Sequence, residues 1–278
     1  MSTLLFLNKY SNHTTGMQNI AIIILYIIIV ILLYILSIIK EGFENNTSDV
    51  QLVIANYEED LDWVNNLPNT LYDKLTIYNK GTPKNYNNLL NKNKEIFQLP
   101  NVGREGHTYL HHIINNYDNL TDITIFLPGS TYTFYQKKDQ LDIIISHLQN
   151  KKESIIIGFT DPTYITSELD TFMIDEYEIT SEENKQRNPG VVLELASIRP
   201  FGKWIKANFP GETLNCIGYR GVVVASKADI HKRPREFYEK LITQLQTQNP
   251  EVGHYIERAW PLILSVDNCG GGNFSPHF

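Results

Sequence analysis

The sequence is poor in cysteine and has no surplus of positive charge. Only Cys216 and Cys269 occur in 278 residues, which excludes a scaffold built from several disulfides. A single bridge in an oxidising compartment and two reduced thiols in the core are both compatible with this pair. Lys and Arg number 24 against 31 Asp and Glu, a formal net charge of −7. Binding of nucleic acid through bulk positive charge is therefore excluded, and no nucleic-acid partner is expected.

The longest uncharged run lies near the amino terminus. Residues 20–39 carry no charge and are nearly all Ile, Leu, Val or Tyr. A helix rises about 1.5 Å per residue, so this run is long enough to cross a bilayer core of about 30 Å. It is longer than the apolar part of a cleaved signal peptide, which has about 7–15 residues. The sequence therefore predicts one transmembrane helix that stays attached as an anchor.

The charges that flank this run do not decide its orientation, because Lys9 precedes it and Lys40 follows it. Glycosylation sequons at Asn45, Asn46 and Asn119 are compatible with a lumenal or external domain. We therefore expect a single-pass membrane protein of type II. The predicted parts are a polar tail at 1–19, the anchor at 20–39, a stem at 40–48, a folded domain at 49–265 and a flexible tail at 266–278.

Patterns typical of strands and helices alternate from residue 49 onward. Continuous apolar runs predict buried strands at 50–55, 74–78, 123–127, 154–159 and 221–226. Amphipathic patterns predict helices at 58–67, 137–150, 190–204, 234–246 and 252–264, and one that begins near Gly103. The Asn-rich stretch 82–95 is predicted to be a loop or a short helix. This order predicts an α/β fold with a mostly parallel sheet and helices on both faces.

The segment 99–130 joins a glycine turn, a helix and a buried strand. Asn101 can cap the helix that begins near Gly103, and Arg104 offers a planar fork to phosphate or carboxylate. Because the free N–H groups and dipole of a helix N-terminus attract anions, this helix start predicts a diphosphate site. Ser130 follows the strand, on the side where open α/β sheets bind ligands.

Each of these residues also has an ordinary structural interpretation. Arg104 and Glu105 fit a solvated helix start, in which both have only a modest capping role. Asn56 and Lys80 leave two strands of the predicted sheet, where their polar groups suit a ligand, but plain turns have the same composition.

Two histidines could bind a metal. His107 and His111 lie four residues apart on one helical face, a spacing that two zinc ligands can use. A metal-dependent hydrolase that uses this pair is therefore an alternative. No third ligand is evident, and a half-buried histidine bonded to backbone or ligand has the same pattern. No metal site is predicted.

Blocks spread over residues 50–264 carry a resemblance. They are VIANYEEDLDW, IYNKG, NVGRE with a TYL helix and an FLPG turn, DEYEITSEEN, IRPFGKW, VVASKADIHKRPREFYEKL and GHYIERAWPLIL. Together they resemble a family of unknown function found in fungi and large DNA viruses. The NVGRE block is also similar to the NxGRD block of rhamnan-synthesis glycosyltransferases.

This second resemblance implies a GT-A-like enzyme that transfers a sugar from a nucleotide donor to a glycan or protein acceptor. In such enzymes the exit of the first strand holds the base and ribose, which implies this role for Asn56. A late helical acid takes the proton of the acceptor hydroxyl, which implies Glu257 as catalytic base, with His254 on the same helix face. A structural Glu257, paired with Arg258 or Arg199, is the alternative. The nucleotide-sugar site implied by the resemblance contains Asn56, Lys80, Asn101, Gly103, Arg104, Glu105, His107, Ser130 and His254.

The sequence does not decide whether a metal cofactor is used. Metal-dependent GT-A enzymes carry Asp-x-Asp at the end of a central strand, where Mn²⁺ or Mg²⁺ binds the diphosphate, whereas the candidate strand here ends in Phe-Leu-Pro-Gly-Ser. In one interpretation Arg104, Lys80 and the helix start replace the metal. In the other a distant acid binds it, with Asp170, Asp175 and Glu176 as candidates. The absence of the Asp-x-Asp motif is also compatible with a membrane-anchored binding or structural protein that has no catalytic activity.

Overall fold

A sheet of seven strands crosses the part of the protein that the computed structural model describes. The described residues are 25–35, 49–91, 93–175, 190–266 and 269–270. The strands are β1 (Val50–Asn56), β2 (Lys74–Asn79), β3 (Lys94–Gln98), β4 (Ile123–Pro128), β5 (Ile155–Phe159), β6 (Ile217–Ser226) and β7 (Cys269–Gly270). Their order is β3-β2-β1-β4-β6-β5-β7, and only β6 runs antiparallel to its neighbours. The predicted α/β architecture with a mostly parallel sheet is therefore confirmed.

Helices cover both faces of this sheet. Leu141, Ile144 and Leu148 of the second helix belong to the core on one face. The helices that begin at Arg104, Phe201, Arg235 and Glu251 contribute aromatic and aliphatic side chains to the core on the other face. From residue 49 onward, the α-helices within the described ranges are α1 (Arg104–Asn116), α2 (Tyr135–Asn150), α3 (Pro162–Thr171), α4 (Phe201–Asn208), α5 (Lys227–Ile230), α6 (Arg235–Ile242) and α7 (Glu251–Ile263).

The central strands are apolar throughout because both of their faces are buried. In β1, Leu52 and Ile54 point to one core, whereas Val53 and Ala55 point to the other. Side chains alternate along a strand, and a parallel strand covered on both sides therefore has a continuous apolar sequence. This is why β1, β2 and β4 could be predicted.

The helix predicted at 58–67 is wrong. The structure has only a 3₁₀ helix at Asp62–Asn66. The carboxylate of Glu58 instead accepts a hydrogen bond of 2.7 Å from the backbone N–H of Thr82, and this bond lowers the pKa of Glu58. Side chains that bond to backbone groups in this way compete with helix formation.

One further prediction of local structure is wrong in its bounds, and another, the loop at 82–95, holds only as far as the start of β3 at Lys94. The helix predicted at 190–204 starts only at Phe201, because Pro200 is its N-cap and a proline restrains the residue before it to extended backbone. The stretch 82–95 ends in β3, an edge strand whose Phe97 is 45 % exposed. Such an exposed strand lacks the apolar run that marks the others.

A disulfide joins Cys216, which precedes β6, to Cys269 in β7. The two Cα atoms are 6.3 Å apart, within the usual range for a bridged pair. Of the two alternatives that the sequence left open, the structure therefore has the bridge.

The chain divides into two units, Met1–Ser48 and Asp49–Phe278. In the first unit, residues 25–35 are helical and their large apolar side chains are exposed. The remainder of the predicted anchor, and the predicted stem at 40–48, lie outside the described residues. Among the residues that are described, no helix has both the length and the apolar character needed to cross a membrane.

Candidate functional site

The carboxyl ends of β1, β2 and β4 lie at one edge of the sheet. β1 lies between β2 and β4 and runs parallel to both. The chain continues from β1 to β2 on one side of it, and β4 is later added on the other side. In open α/β sheets, ligands bind in the crevice outside such a point. The predicted site residues that follow these strands therefore start from this edge.

Asn56 is fully buried at the end of β1. Its Nδ2 donates to the hydroxyl of Tyr86 over 2.9 Å, and its Oδ1 has no hydrogen-bond partner among the described residues. A Cβ at Gly129 would collide with this oxygen, so the exit of β4 passes Asn56 at a distance that only glycine permits. The exits of β1 and β4 are therefore in contact.

Lys80 connects the exit of β2 to the start of α1. Its Nζ donates to the carbonyl oxygens of Val102 and Arg104, each at 2.5 Å. The residue is 7 % exposed, and burial lowers the pKa of Lys80 to about 8 although Glu105 acts to raise it. These contacts hold the turn before α1, so two of the three ammonium donors are used by the protein itself.

The turn that starts α1 has an uncommon backbone. Gly103 and Arg104 have φ values of 61° and 53°, and a positive φ is rare in a residue with a side chain. Gly103 is the N-cap residue, and no side chain caps the helix, so the predicted capping role of Asn101 is wrong. A Cβ at Gly103 would lie 2.6 Å from Cβ of Leu245, which explains the glycine.

Arg104 links α1 to α7. Its Nη1 lies 2.7 Å from Nε2 and 2.8 Å from Nδ1 of His254, and its Nε lies 3.7 Å from the carboxylate of Glu105. Burial, Arg104 and Arg258 lower the pKa of His254 to about 2, so the imidazole is neutral and accepts from the guanidinium. Burial acts to raise the pKa of Glu105, but Arg104 and Lys137 outweigh it and hold this pKa below its usual value. The predicted anion site at this helix start thus already has a carboxylate beside it.

Glu257 is held by a kink in β6. Its Oε1 accepts a hydrogen bond of 2.6 Å from the backbone N–H of Arg220. Arg220 and Gly221 have φ values of 71° and 68°, and a Cβ at Gly221 would lie 2.8 Å from Cγ of Glu105. Oε2 of Glu257 makes no hydrogen bond or ion pair to any described residue. One carboxylate oxygen is therefore positioned and the other is unengaged.

The ion pairs considered for a structural Glu257 do not form. Arg258 instead binds the carboxylate of Glu168 over 2.7 Å, with its guanidinium 3.5 Å from the ring centroid of Phe172. Arg199 binds Glu251 at 2.8 Å. Neither arginine is a partner of Glu257.

Lys137 belongs to this edge of the sheet and was missed from the sequence, which marked it only as the start of a helix. Its Nζ donates to Oγ of Ser130 over 2.7 Å. Burial lowers the pKa of Lys137, whereas the carboxylates of Glu105 and Glu257 act to raise it. Glu105 lies against Gly221 and Glu257 binds the N–H of the neighbouring Arg220, so α1 and α7 bring these two acids to the same kink of β6.

The histidine pair has a different environment. The rings of His107 and His111 stack with centroids 6.1 Å apart. Burial and Lys80 lower the pKa of His107 to about 4, and its Nδ1 has no partner among the described residues. Across those residues, no group of three or more His, Cys, Asp or Glu side chains is placed to hold a metal ion.

The more distant acids do not converge on this edge. Asp170 is exposed on α3, and Asp175 forms a 2.7 Å ion pair with Arg199. Glu176 lies outside the described residues.

The fold and these side chains define an α/β protein with an open, mostly parallel sheet. A charged cluster, formed by Arg104, Glu105, Lys137 and Glu257, lies at the carboxyl ends of its strands. Its sequence from residue 52 to 271 matches the profile of a family described as protein of unknown function, DUF3431. The chain belongs to this family, and the predicted membership in a family of unknown function is confirmed. No curated protein sequence matches the chain significantly.

Proposed function

We propose that this protein is a glycosyltransferase that moves a sugar from a nucleotide donor to a glycan or protein acceptor. The observation that carries the proposal is the carboxylate of Glu257, which is fixed by Arg220 through one oxygen and unengaged at the other. This carboxylate belongs to the charged cluster at the edge where open α/β sheets bind ligands. The likeness of the NVGRE block to glycosyltransferases supports the same class.

In this proposal the donor lies across the ends of β1 and β4. The buried amide of Asn56, with its unpartnered oxygen, suits the base or ribose. The guanidinium of Arg104 and the hydroxyl of Ser130 suit the diphosphate, because both donate hydrogen bonds to phosphate oxygens. Lys80 and Gly103 then act indirectly, by shaping the turn that presents Arg104, and Asn101 belongs to the same turn.

Glu257 acts as the general base. It accepts the proton of the acceptor hydroxyl while the hydroxyl oxygen bonds to the anomeric carbon. The bond from that carbon to the donor diphosphate breaks, and its electron pair leaves with the diphosphate, whose charge Arg104 stabilises. Each of these steps is assigned to a side chain of the protein itself.

We also propose that residues 20–39 anchor the protein in a membrane with the domain on the lumenal or external side. The bridge between Cys216 and Cys269 supports an oxidising compartment. Asn119, in the third sequon, is exposed and therefore accessible to glycosylation.

The test uses the full chain in detergent with a panel of UDP-, GDP- and CMP-activated sugars. Release of free nucleotide, with and without an added glycan acceptor, is followed by chromatography, and the variant Glu257→Gln is measured beside the wild type. Turnover of one donor that falls strongly in the variant supports the proposal. Donor binding without any turnover would indicate a non-catalytic binding protein, and stoichiometric zinc in the purified protein would indicate the hydrolase that uses His107 and His111.

A further inference from the structure

Lys137 is a half-buried cation in the first turn of α2, just after β4. An ammonium group has three N–H donors. Here one donates to Oγ of Ser130 at 2.7 Å, and the side chain forms no ion pair with a described residue. Nζ also lies 5.3 Å from the ring centroid of Phe134. Two of its donors are therefore unused by the described residues.

This position is unfavourable for a positive charge in the absence of an anion. The N-terminal turn of a helix carries positive partial charge and disfavours a cation. Burial also acts against the charged form and lowers the pKa of Lys137, with Glu105 and Glu257 opposing this effect from a distance. A cation kept in such a place without a direct counter-ion is suited to an anion that binds from outside.

The other cations at this edge are engaged by the protein. Lys80 uses two donors on the carbonyl oxygens of Val102 and Arg104. Arg104 contacts His254 and Glu105. Among these three cations, Lys137 is therefore the one whose only hydrogen bond to the described residues is to a hydroxyl group.

We propose that Lys137 binds the diphosphate of the donor, through the two ammonium donors that Ser130 does not use. The inference rests on the proposed function and adds the side chain that supplies positive charge at the end of β4. That strand brings no carboxylate to this point, since Pro128, Gly129 and Ser130 follow Leu127.

The experiment measures ligand binding by calorimetry on the full chain in detergent. UDP, GDP, CDP and ADP are first compared on the wild type, and the tightest is then used together with its parent nucleoside. Lys137→Gln is expected to weaken binding of the diphosphate roughly 10- to 100-fold, because a hydrogen bond to a charged group is lost, and to leave the nucleoside unaffected. Lys138→Gln is the control, since Lys138 is exposed and pairs with Asp142 at 3.6 Å.

A second measurement needs no variant and so does not depend on the stability of one. The wild type is treated with an amine-reactive reagent, and the labelled lysines are identified by mass spectrometry with and without the same nucleoside diphosphate. Protection of Lys137 but not of Lys138 supports the proposal. Equal labelling of Lys137 in both samples, or an equal loss of diphosphate and nucleoside affinity in Lys137→Gln, overturns it. If the wild type binds none of the four diphosphates, the proposed function itself fails together with this inference.

Discussion

Nη1 of Arg104 lies 2.7 Å from Nε2 of His254, although the two residues are 150 positions apart in the sequence. The contact joins the first residue of α1 to the first turn of α7 and orients the guanidinium at the carboxyl edge of the sheet. Because His254 is neutral, it accepts from the guanidinium without cancelling its charge. A positive charge positioned in this way can still attract a diphosphate.

We predict that Arg104→Ala weakens binding of a nucleoside diphosphate by about 1.5–3 kcal/mol, the range for a hydrogen bond to a charged group. The free energy of unfolding should fall only modestly, because Arg104 is partly exposed but also stabilises the charged form of Glu105. Calorimetric titration and thermal unfolding of the same sample measure both quantities. Arg235→Ala, near the other end of α1 where it contacts Asp118, is the control and should bind normally. Normal binding by an Arg104→Ala protein that melts much lower would assign Arg104 a structural role.

The sequence predicted the parts of the fold that follow from burial. Strands such as β1 and β4, covered on both faces, have continuous apolar runs, and the helix after Gly103 has a clear apolar face. The edge strand β3 could not be predicted, because Phe97 and its neighbours are exposed and leave no apolar run. The helix expected from Glu58 was lost to a hydrogen bond with Thr82, which is 24 positions away.

The site was predictable only in part, because it too depends on contacts between residues that are far apart in the sequence. Arg104 was selected from its place at a helix start, and Glu257 from the resemblance to glycosyltransferases in which a late helical acid is the base. The contact that holds Glu257 depends on positive φ at Arg220, which residue type alone does not indicate. Lys137 acquires its surroundings from α1 and α7, so its own stretch of sequence, which is polar like any solvated helix start, carries no sign of them.

Glu251 is expected to contribute much more to stability than to ligand binding. It is fully buried and accepts hydrogen bonds from the backbone N–H groups of Ile174 and Ala196, from Arg199 and from the hydroxyl of Tyr255. Glu251→Gln removes one of the two carboxylates that bind Arg199 and puts an NH₂ group where buried donors need an acceptor, so we predict a loss of about 3–5 kcal/mol of unfolding free energy. Chemical denaturation of the wild type and the variant measures this loss.

The matched control is Glu212→Gln, which removes an ion pair with Arg233 that is nearer the surface. Its cost should be under about 1 kcal/mol. Similar losses for the two variants would contradict the structural role of Glu251.

Stability is predicted to fall as the pH is lowered from 7.5 to 5. The pKa values of His107, His112 and His254 are lowered to about 4, about 3 and about 2, with burial as the largest cause in each. The unfolded chain, with histidine pKa values of about 6.5, binds protons first, so stability is complete above pH 6.5 and is lost below it. Each histidine should cost about 2 kcal/mol by pH 5.

Denaturation curves at the two pH values give this difference. His112→Phe keeps a ring against Phe126 and should reduce the loss by about 2 kcal/mol, because one buried histidine no longer takes up a proton. The exposed His231→Gln should leave the loss unchanged. An unchanged loss in His112→Phe would show that other groups cause it.

Reduction of the Cys216–Cys269 bridge should destabilise the protein. The cysteines are 53 positions apart, and closing a loop of this size stabilises by about 4 kcal/mol in the chain-entropy treatment, with about 2–4 kcal/mol typical. Denaturation with and without reductant gives the value. Protein isolated from an oxidising compartment should show no alkylation of either cysteine before reduction, and complete alkylation of both would contradict the bridge.

Glu257→Gln is predicted to lower the rate of sugar transfer by about 10²–10⁴-fold while donor affinity is kept. The amide has the shape of the carboxylate and its oxygen can still accept from the N–H of Arg220, so the fold is preserved and only the proton acceptor is lost. Single-turnover rates and donor binding are measured on the same folded sample. The exposed Glu236→Gln is the control and should react at the wild-type rate. A folded Glu257→Gln protein that also turns over at the wild-type rate would exclude Glu257 as the base.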